Sequence, residues 1–148
     1  MQDLAKTVDA AAIQELQTFV NQTERSDAQI LRKIEALPVS ADAKALLSDM
    51  LRLATRVGQT MLRIGRKILD FALSLLQQFP HLGFATLIAL VLGVLLGFVP
   101  VLGTLLGAAI TPLLLALGVA VGAQAELEQG DLAERVRAFA GQFRGLAA

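Results

Sequence analysis

Cysteine, tryptophan and tyrosine are absent from the 148-residue chain, which contains a single histidine, His81. Without cysteine, the chain has no disulfide, no thiol nucleophile and no cysteine-ligated metal site. The carboxylates are not paired within an apolar stretch, and no glycine run is followed by Lys-Ser or Lys-Thr, as in a phosphate-binding loop. We therefore expect no enzyme activity, no cofactor and no metal.

Charged residues are missing from the whole of residues 71–125. Inside this range, residues 82–122 are almost entirely leucine, valine, alanine, isoleucine and glycine. A membrane-spanning helix needs roughly 20 apolar residues, and this core is about twice that length. Pro100 lies between nearby glycines and marks a turn, because proline lacks an amide proton and disfavours helix in the preceding residue. The pattern predicts a transmembrane hairpin of two helices, 82–99 and 101–122.

The alternative interpretation makes this hairpin the buried core of a large soluble protein. The short chain leaves few residues to cover such a core. A hydrophobic content of 55% and a mean hydropathy of +0.61 favour a small membrane protein with a water-exposed part. Asp3, Asp9 and Glu15 are not typical of a cleavable signal peptide, so we expect insertion to depend on the hairpin itself.

A long amphipathic helix is predicted between Ser40, a typical N-cap, and Pro80, which stops it. Its basic face lies just before the hairpin, where the positive-inside rule expects cytoplasmic residues. Two spans then leave both termini in the cytoplasm, with the bacterial inner membrane as the expected location. The basic face either contacts lipid headgroups or an anionic partner, or is simply solvated. Its residues are Arg52, Arg56, Arg63, Arg66 and Lys67.

Short helices are predicted at both ends of the chain. Apolar residues recur about every four positions over 3–21, and Ser26 with Gln29 forms a capping box for a second helix. The sequence therefore predicts an all-α membrane protein. Its parts are an N-terminal cytoplasmic helical part (1–39), the long basic helix (40–80), the transmembrane hairpin (81–123) and a C-terminal amphipathic helix (124–148).

Glycines spaced four residues apart recur within the predicted hairpin. This spacing creates a flat face on which another helix packs closely. Thr104 and Thr111 share a face of the second predicted helix, where they either bond to their own helix or line an oligomeric pore. The glycines predicted to pack are Gly93, Gly97, Gly103, Gly107, Gly118 and Gly122.

Residues 82–122 and the amphipathic helix after Asp131 carry two resemblances. An Ala/Gly/Val/Leu-rich hairpin with an uncharged tip, followed by an amphipathic helix, resembles the end of a colicin-type pore-forming domain. It also resembles the small two-span channel effectors of bacterial defence systems. The second resemblance implies a homo-oligomer that permeabilises the inner membrane.

The expected function is an oligomeric membrane channel or pore-forming protein acting on a lipid bilayer. The alternative is a non-conducting membrane-hairpin scaffold, or a membrane-shaping protein, that recruits a cytoplasmic protein partner through residues 1–37. Nucleic acid is not an expected partner, because the basic stripe lacks the interleaved aromatic residues of a single-strand binding surface. His81 lies where the long helix meets the hairpin, either as an anchor or as a pH switch.

Overall fold

The computed structural model describes residues 2–57, 60–99, 101–118 and 131–143. The described chain is mostly helical, which confirms the all-α class, and also contains one short antiparallel pair of strands. A 3-10 turn, Pro80–Leu82, precedes the fifth helix. In chain order the elements are α1 (Gln2–Asn21), α2 (Asp27–Glu35), α3 (Ala41–Leu51), β1 (Thr55–Val57), β2 (Thr60–Leu62), α4 (Ile64–Gln78), α5 (Phe84–Phe98), α6 (Val101–Leu117) and α7 (Asp131–Gly141).

Side-chain caps fix the beginnings of α2 and α3 as predicted. The Ser26 hydroxyl accepts a hydrogen bond from the Gln29 amide, and the Gln29 side chain accepts one from the Ser26 amide. Ser40 accepts a bond from the Ala43 amide in the same way. Such caps satisfy amide groups that the first helical turn leaves without partners. The Ser26 cap lies at the end of the α1–α2 loop, residues 22–26.

The single helix predicted over 40–79 is wrong. Helix α3 ends at Leu51, α4 begins at Ile64, and β1 pairs with β2 between them. The strands are rich in threonine and valine, whose branched β-carbons favour extended backbone over helix. The Gly65 amide donates to the Leu53 carbonyl at 3.2 Å, so α4 starts beside the end of α3.

The approach of α4 to the end of α3 depends on Gly65. A β-carbon added at this position would lie 1.8 Å from the Met50 carbonyl oxygen and 3.0 Å from the β-carbon of Leu53. Only glycine fits at this distance without a backbone shift. The residue therefore keeps the two helices in direct contact after the short strand pair.

Helix α5 lies at the centre of the core and contacts α4, α6 and α7. Residues 87–92 are all buried, so every face of the helix is covered over more than one turn. This burial agrees with the alternative interpretation of the apolar stretch as a protein core. Among the α6 side chains that the structure describes, Leu102, Ile110 and Leu113 are buried, whereas Leu115 is 73% exposed.

Among the described residues, no helix combines the length and the apolar character needed to cross a membrane. Helix α5 has 15 residues and α6 has 17, against the roughly 20 of a typical span. This finding contradicts the predicted membrane localisation with cytoplasmic termini. It also contradicts the transmembrane, pore-forming and channel character predicted from the uncharged stretch. Those predictions are wrong, and the membrane hairpin is not confirmed; its predicted turn at Pro100 lies outside the described residues.

An aromatic cluster joins α1, α4 and the C-terminal part of the chain. The rings of Phe71 and Phe139 stack with their centroids 3.9 Å apart. Phe19 lies 5.6 Å from Phe139 and 5.2 Å from Phe143, in tilted and edge-on arrangements that suit aromatic pairs. The apolar face of α7 is buried in this cluster and against α5. The cluster therefore holds α1 in place beside the loop that follows it.

Candidate functional site

Two residues of the predicted basic face form ion pairs within the protein. Arg63 Nη1 lies 2.7 Å from Asp27 Oδ2, and Arg63 Nη2 donates to the Leu51 carbonyl at 3.2 Å. Arg66 Nε lies 3.0 Å from Asp27 Oδ1, and Arg66 Nη2 donates to the Arg25 carbonyl at 3.4 Å. Both arginines thus attach the beginning of α2 to the first turn of α4.

Lys67 also points into the protein. Its ammonium group donates to the Gln22 carbonyl and lies 4.4 Å from the centre of the Phe19 ring, within the range of a cation–π contact. Burial lowers the pKa of Lys67, and the carboxylates of Asp70 and Glu24 oppose that shift. Lys67 therefore links the end of α1 to α4.

The other two predicted basic residues are exposed. Arg52 caps the end of α3 through its backbone, and Arg56 lies on β1. No ion pair links either side chain to another residue in the described ranges. The basic stripe predicted on one helix is thus divided. Arg63, Arg66 and Lys67 contact other parts of the protein, whereas Arg52 and Arg56 are separate surface residues.

The predicted packing and pore-lining residues lie in or next to α5 and α6. An added β-carbon at Gly97 meets no heavy atom within 4 Å, apart from its chain neighbours and its own helix backbone. Gly118 follows the end of α6 with φ +74°, a conformation that favours glycine. Thr104 and Thr111 are exposed on α6. Gly93 lies half-buried in α5, Gly103 and Gly107 belong to α6, and Gly122 is outside the described residues.

A buried ion pair connects the α1–α2 loop to α4. Arg25 Nη1 lies 3.1 Å from Asp70 Oδ1, and the two side chains are 8% and 6% exposed. The same nitrogen also donates to the Asp70 carbonyl at 3.3 Å and to the Ser74 hydroxyl at 3.1 Å. A buried charge needs both an opposite charge and hydrogen bonds to offset its desolvation, and Arg25 has both.

Glu24 completes this polar junction on its outer side. The Glu24 amide donates to Asp70 Oδ2 at 3.0 Å, which uses the second oxygen of that carboxylate. The Glu24 carboxylate lies 3.7 Å from Arg25 Nη1 and 3.2 Å from the Ser74 hydroxyl, while its side chain is 72% exposed. The buried Asp70 carboxylate thus holds the loop backbone, and the Glu24 carboxylate remains in contact with solvent.

A cleft of about 450 Å³ opens beside this junction, between α2 and the last turn of α4. We call it the α2–α4 cleft. Arg32 and Lys33, both exposed, follow Gln29 by three and four positions, so all three lie on one face of α2. The lining contains three cationic side chains and one carboxylate. Its residues are Glu24, Arg25, Gln29, Arg32, Lys33 and Gln77.

Arg25 gives the cleft its chemical specificity, because its guanidinium group is held in one orientation. All the side-chain hydrogen bonds of Arg25 within the described residues run through Nη1, and none involves Nε or Nη2. A guanidinium group that is already oriented loses little conformational freedom when it binds a carboxylate. Arg32 and Lys33 form no ion pair with a described residue. The cleft can therefore hold an anion between a buried cation and two mobile ones.

Sequence reasoning did not identify this site. Arg25 lies in a short polar loop, and Asp70 lies three positions after Lys67, the last residue of the predicted basic face. The available signal was the position of Asp70, the last charged residue before the uncharged stretch of 71–125. A carboxylate that is buried at that boundary needs a cation from elsewhere in the chain.

In comparisons with known proteins, no family model matched the chain, and no significant match was found among curated proteins or solved structures.

Proposed function

We propose that this protein is a non-catalytic helical binding module that holds an acidic segment of a partner protein in the α2–α4 cleft. The proposal develops the prediction that residues 1–37 recruit a protein partner. It includes no membrane span, because no helix of the described residues is long and apolar enough to form one. The observation that carries it is the position of Arg25 on the wall of a cleft that also presents Arg32 and Lys33.

The charge and shape of the cleft favour a carboxylate-bearing peptide. Arg32 and Lys33 provide flexible cations along one face of α2, and Arg25 provides a fixed one at the loop. The side-chain amides of Gln29 and Gln77 can donate to, or accept from, a peptide backbone. Opposite charges also speed the encounter of the partners and select against basic segments.

Direct binding of an acidic peptide tests this proposal. We expect a fluorescent oligoglutamate peptide to bind the full chain in an anisotropy titration, and to bind more weakly as salt concentration rises. The double variant Arg32→Ala/Lys33→Ala is expected to lower the affinity roughly tenfold, because two rim charges are lost. An oligoglutamine peptide of the same length should not bind.

The chain contains a matched control for that variant. Arg52→Ala/Arg56→Ala removes the same net charge from exposed positions outside the cleft lining. We expect it to leave the affinity for the oligoglutamate peptide unchanged. Equal losses in the two double variants would show that net charge alone attracts the peptide, and the proposed site would be rejected.

A second candidate is self-association through α6. The exposed side of this helix contains Thr104, Thr111 and the 73%-exposed Leu115, and the helix has no charged residue. An uncharged face is best covered by another uncharged face, and a second copy of α6 provides one. We therefore retain the predicted homo-oligomer as a proposal that requires no membrane.

Sedimentation velocity over a range of concentrations tests the second candidate. Leu115→Asp places a charge on the exposed face of α6 and is expected to shift the chain toward the monomer. Gln78→Asp, an exposed substitution at the end of α4, is the control and should leave the distribution unchanged. A wild-type chain that is monomeric at every concentration would reject self-association.

A further inference from the structure

We infer that Glu24 is an internal competitor for the proposed ligand, and that the partner segment therefore carries at least two neighbouring acidic side chains. This inference rests on the proposed function of the α2–α4 cleft. It assigns Glu24 as the residue that sets the affinity and the selectivity of that cleft. The juxtaposition that supports it is a solvent-exposed carboxylate placed at the fixed guanidinium group of Arg25.

Glu24 holds its carboxylate beside the Arg25 guanidinium group that a ligand carboxylate would approach. Its Oε2 atom lies 3.7 Å from Arg25 Nη1 and accepts a hydrogen bond from the Ser74 hydroxyl at 3.2 Å. Both residues line the cleft. In the free protein, Glu24 thus offsets part of the positive charge that would otherwise attract an acidic ligand.

The Glu24 side chain can leave this position without disturbing the fold. Its backbone amide is held by Asp70 at 3.0 Å, whereas the side chain is 72% exposed. The Ser74 hydroxyl also lies 3.1 Å from the Asp70 carbonyl, so it has a second acceptor when Glu24 moves away. Displacement therefore requires side-chain rotation and the loss of the ion pair with Arg25 and of the Ser74 hydrogen bond.

This arrangement discriminates against ligands with one carboxylate. A single carboxylate binds most easily to Arg32 or Lys33, which are exposed and without an ion pair in the described ranges. An isolated exposed pair of this kind contributes little to affinity. A second acidic side chain on the same segment can then replace Glu24 at Arg25, because the first contact has already raised its local concentration. The cleft therefore selects segments that carry two neighbouring acidic side chains.

Glu24→Gln tests the competition, since it keeps the size and hydrogen bonding of the side chain and removes its charge. In the anisotropy titration we expect the affinity of the full-length variant for the oligoglutamate peptide to rise about two- to fivefold. Glu35→Gln is the matched control, because Glu35 is exposed on α2 and does not line the cleft. It changes the net charge equally and should leave the affinity near that of the wild type.

The outcomes separate this inference from the proposed function. If Glu24→Gln and Glu35→Gln change the affinity equally, while Arg32→Ala/Lys33→Ala still weakens binding, Glu24 is not a competitor and the cleft remains the binding site. If neither the wild type nor Glu24→Gln binds the peptide, the proposed function itself is rejected. For the wild type, a peptide with one glutamate should bind more weakly than one with two adjacent glutamates. Equal affinities would overturn the requirement for paired acids.

Discussion

Replacing Asp70 by alanine is expected to lower the free energy of unfolding by about 3–5 kcal/mol. The substitution leaves the Arg25 guanidinium group in a site that is 8% exposed, without the carboxylate that lies 3.1 Å away in the wild type. The Glu24 amide also loses its acceptor. Urea denaturation followed by circular dichroism measures the change, because helix content reports directly on this all-α fold.

Two controls distinguish the loss of the buried ion pair from a general loss of packing. The double variant Arg25→Met/Asp70→Leu replaces both charges by apolar side chains, and is expected to recover most of the stability lost in Asp70→Ala. Asp49→Ala removes an exposed carboxylate on α3 and should change the free energy of unfolding by less than about 0.5 kcal/mol. A double variant no more stable than Asp70→Ala would mean that the ion pair is not what the site requires.

Gly65→Ala is the second substitution with a large expected effect. Its β-carbon would lie 1.8 Å from the Met50 carbonyl oxygen, a backbone atom that moves only if α3 moves. Overpacking of this kind costs about 1–3 kcal/mol, and contact with backbone places this site at the upper end of that range. Urea denaturation of the variant and of the wild type under the same conditions gives the difference.

Gly97→Ala is the matched control, because it adds the same methyl group near the end of α5, where the new atom meets open space. Alanine favours helix over glycine, so the expected change is neutral or a gain of up to about 1 kcal/mol. The pair of variants also tests the predicted role of Gly97 as a packing residue. A loss at Gly97 as large as that at Gly65 would contradict the arrangement of both helices.

Local signals in the sequence predicted much of the fold correctly. Ser26 with Gln29 and Ser40 marked two helix starts, because capping depends on residues within one turn. The two helices on either side of residue 100 were also predicted, at 82–99 and 101–122 against the observed α5 and α6. The break after Leu51 was missed, because the apolar period continues through the strands, and three-residue strands give no periodic signal of their own.

The environment of the apolar stretch and the candidate site depend on distant contacts, and sequence patterns do not reveal these. A helix apolar on all faces is compatible with a lipid or a protein surrounding, and only the packing of α4, α6 and α7 distinguishes the two for α5. Arg25 and Asp70 are 45 positions apart. No sequence feature near either residue indicates this pairing. The sequence therefore predicts an outward basic face, whereas part of that face pairs with the α1–α2 loop and α2.

The burial of residues 87–92 on every face of α5 has a consequence for the synthesis of the chain. Its apolar surface is covered partly by α7, which leaves the ribosome only after more than thirty further residues have been added to the end of α5. At about 5–20 residues per second, the nascent chain displays this surface for several seconds. Apolar surface that is exposed during folding promotes aggregation. The order of translation therefore leaves this surface of α5 uncovered until α7 has been synthesised.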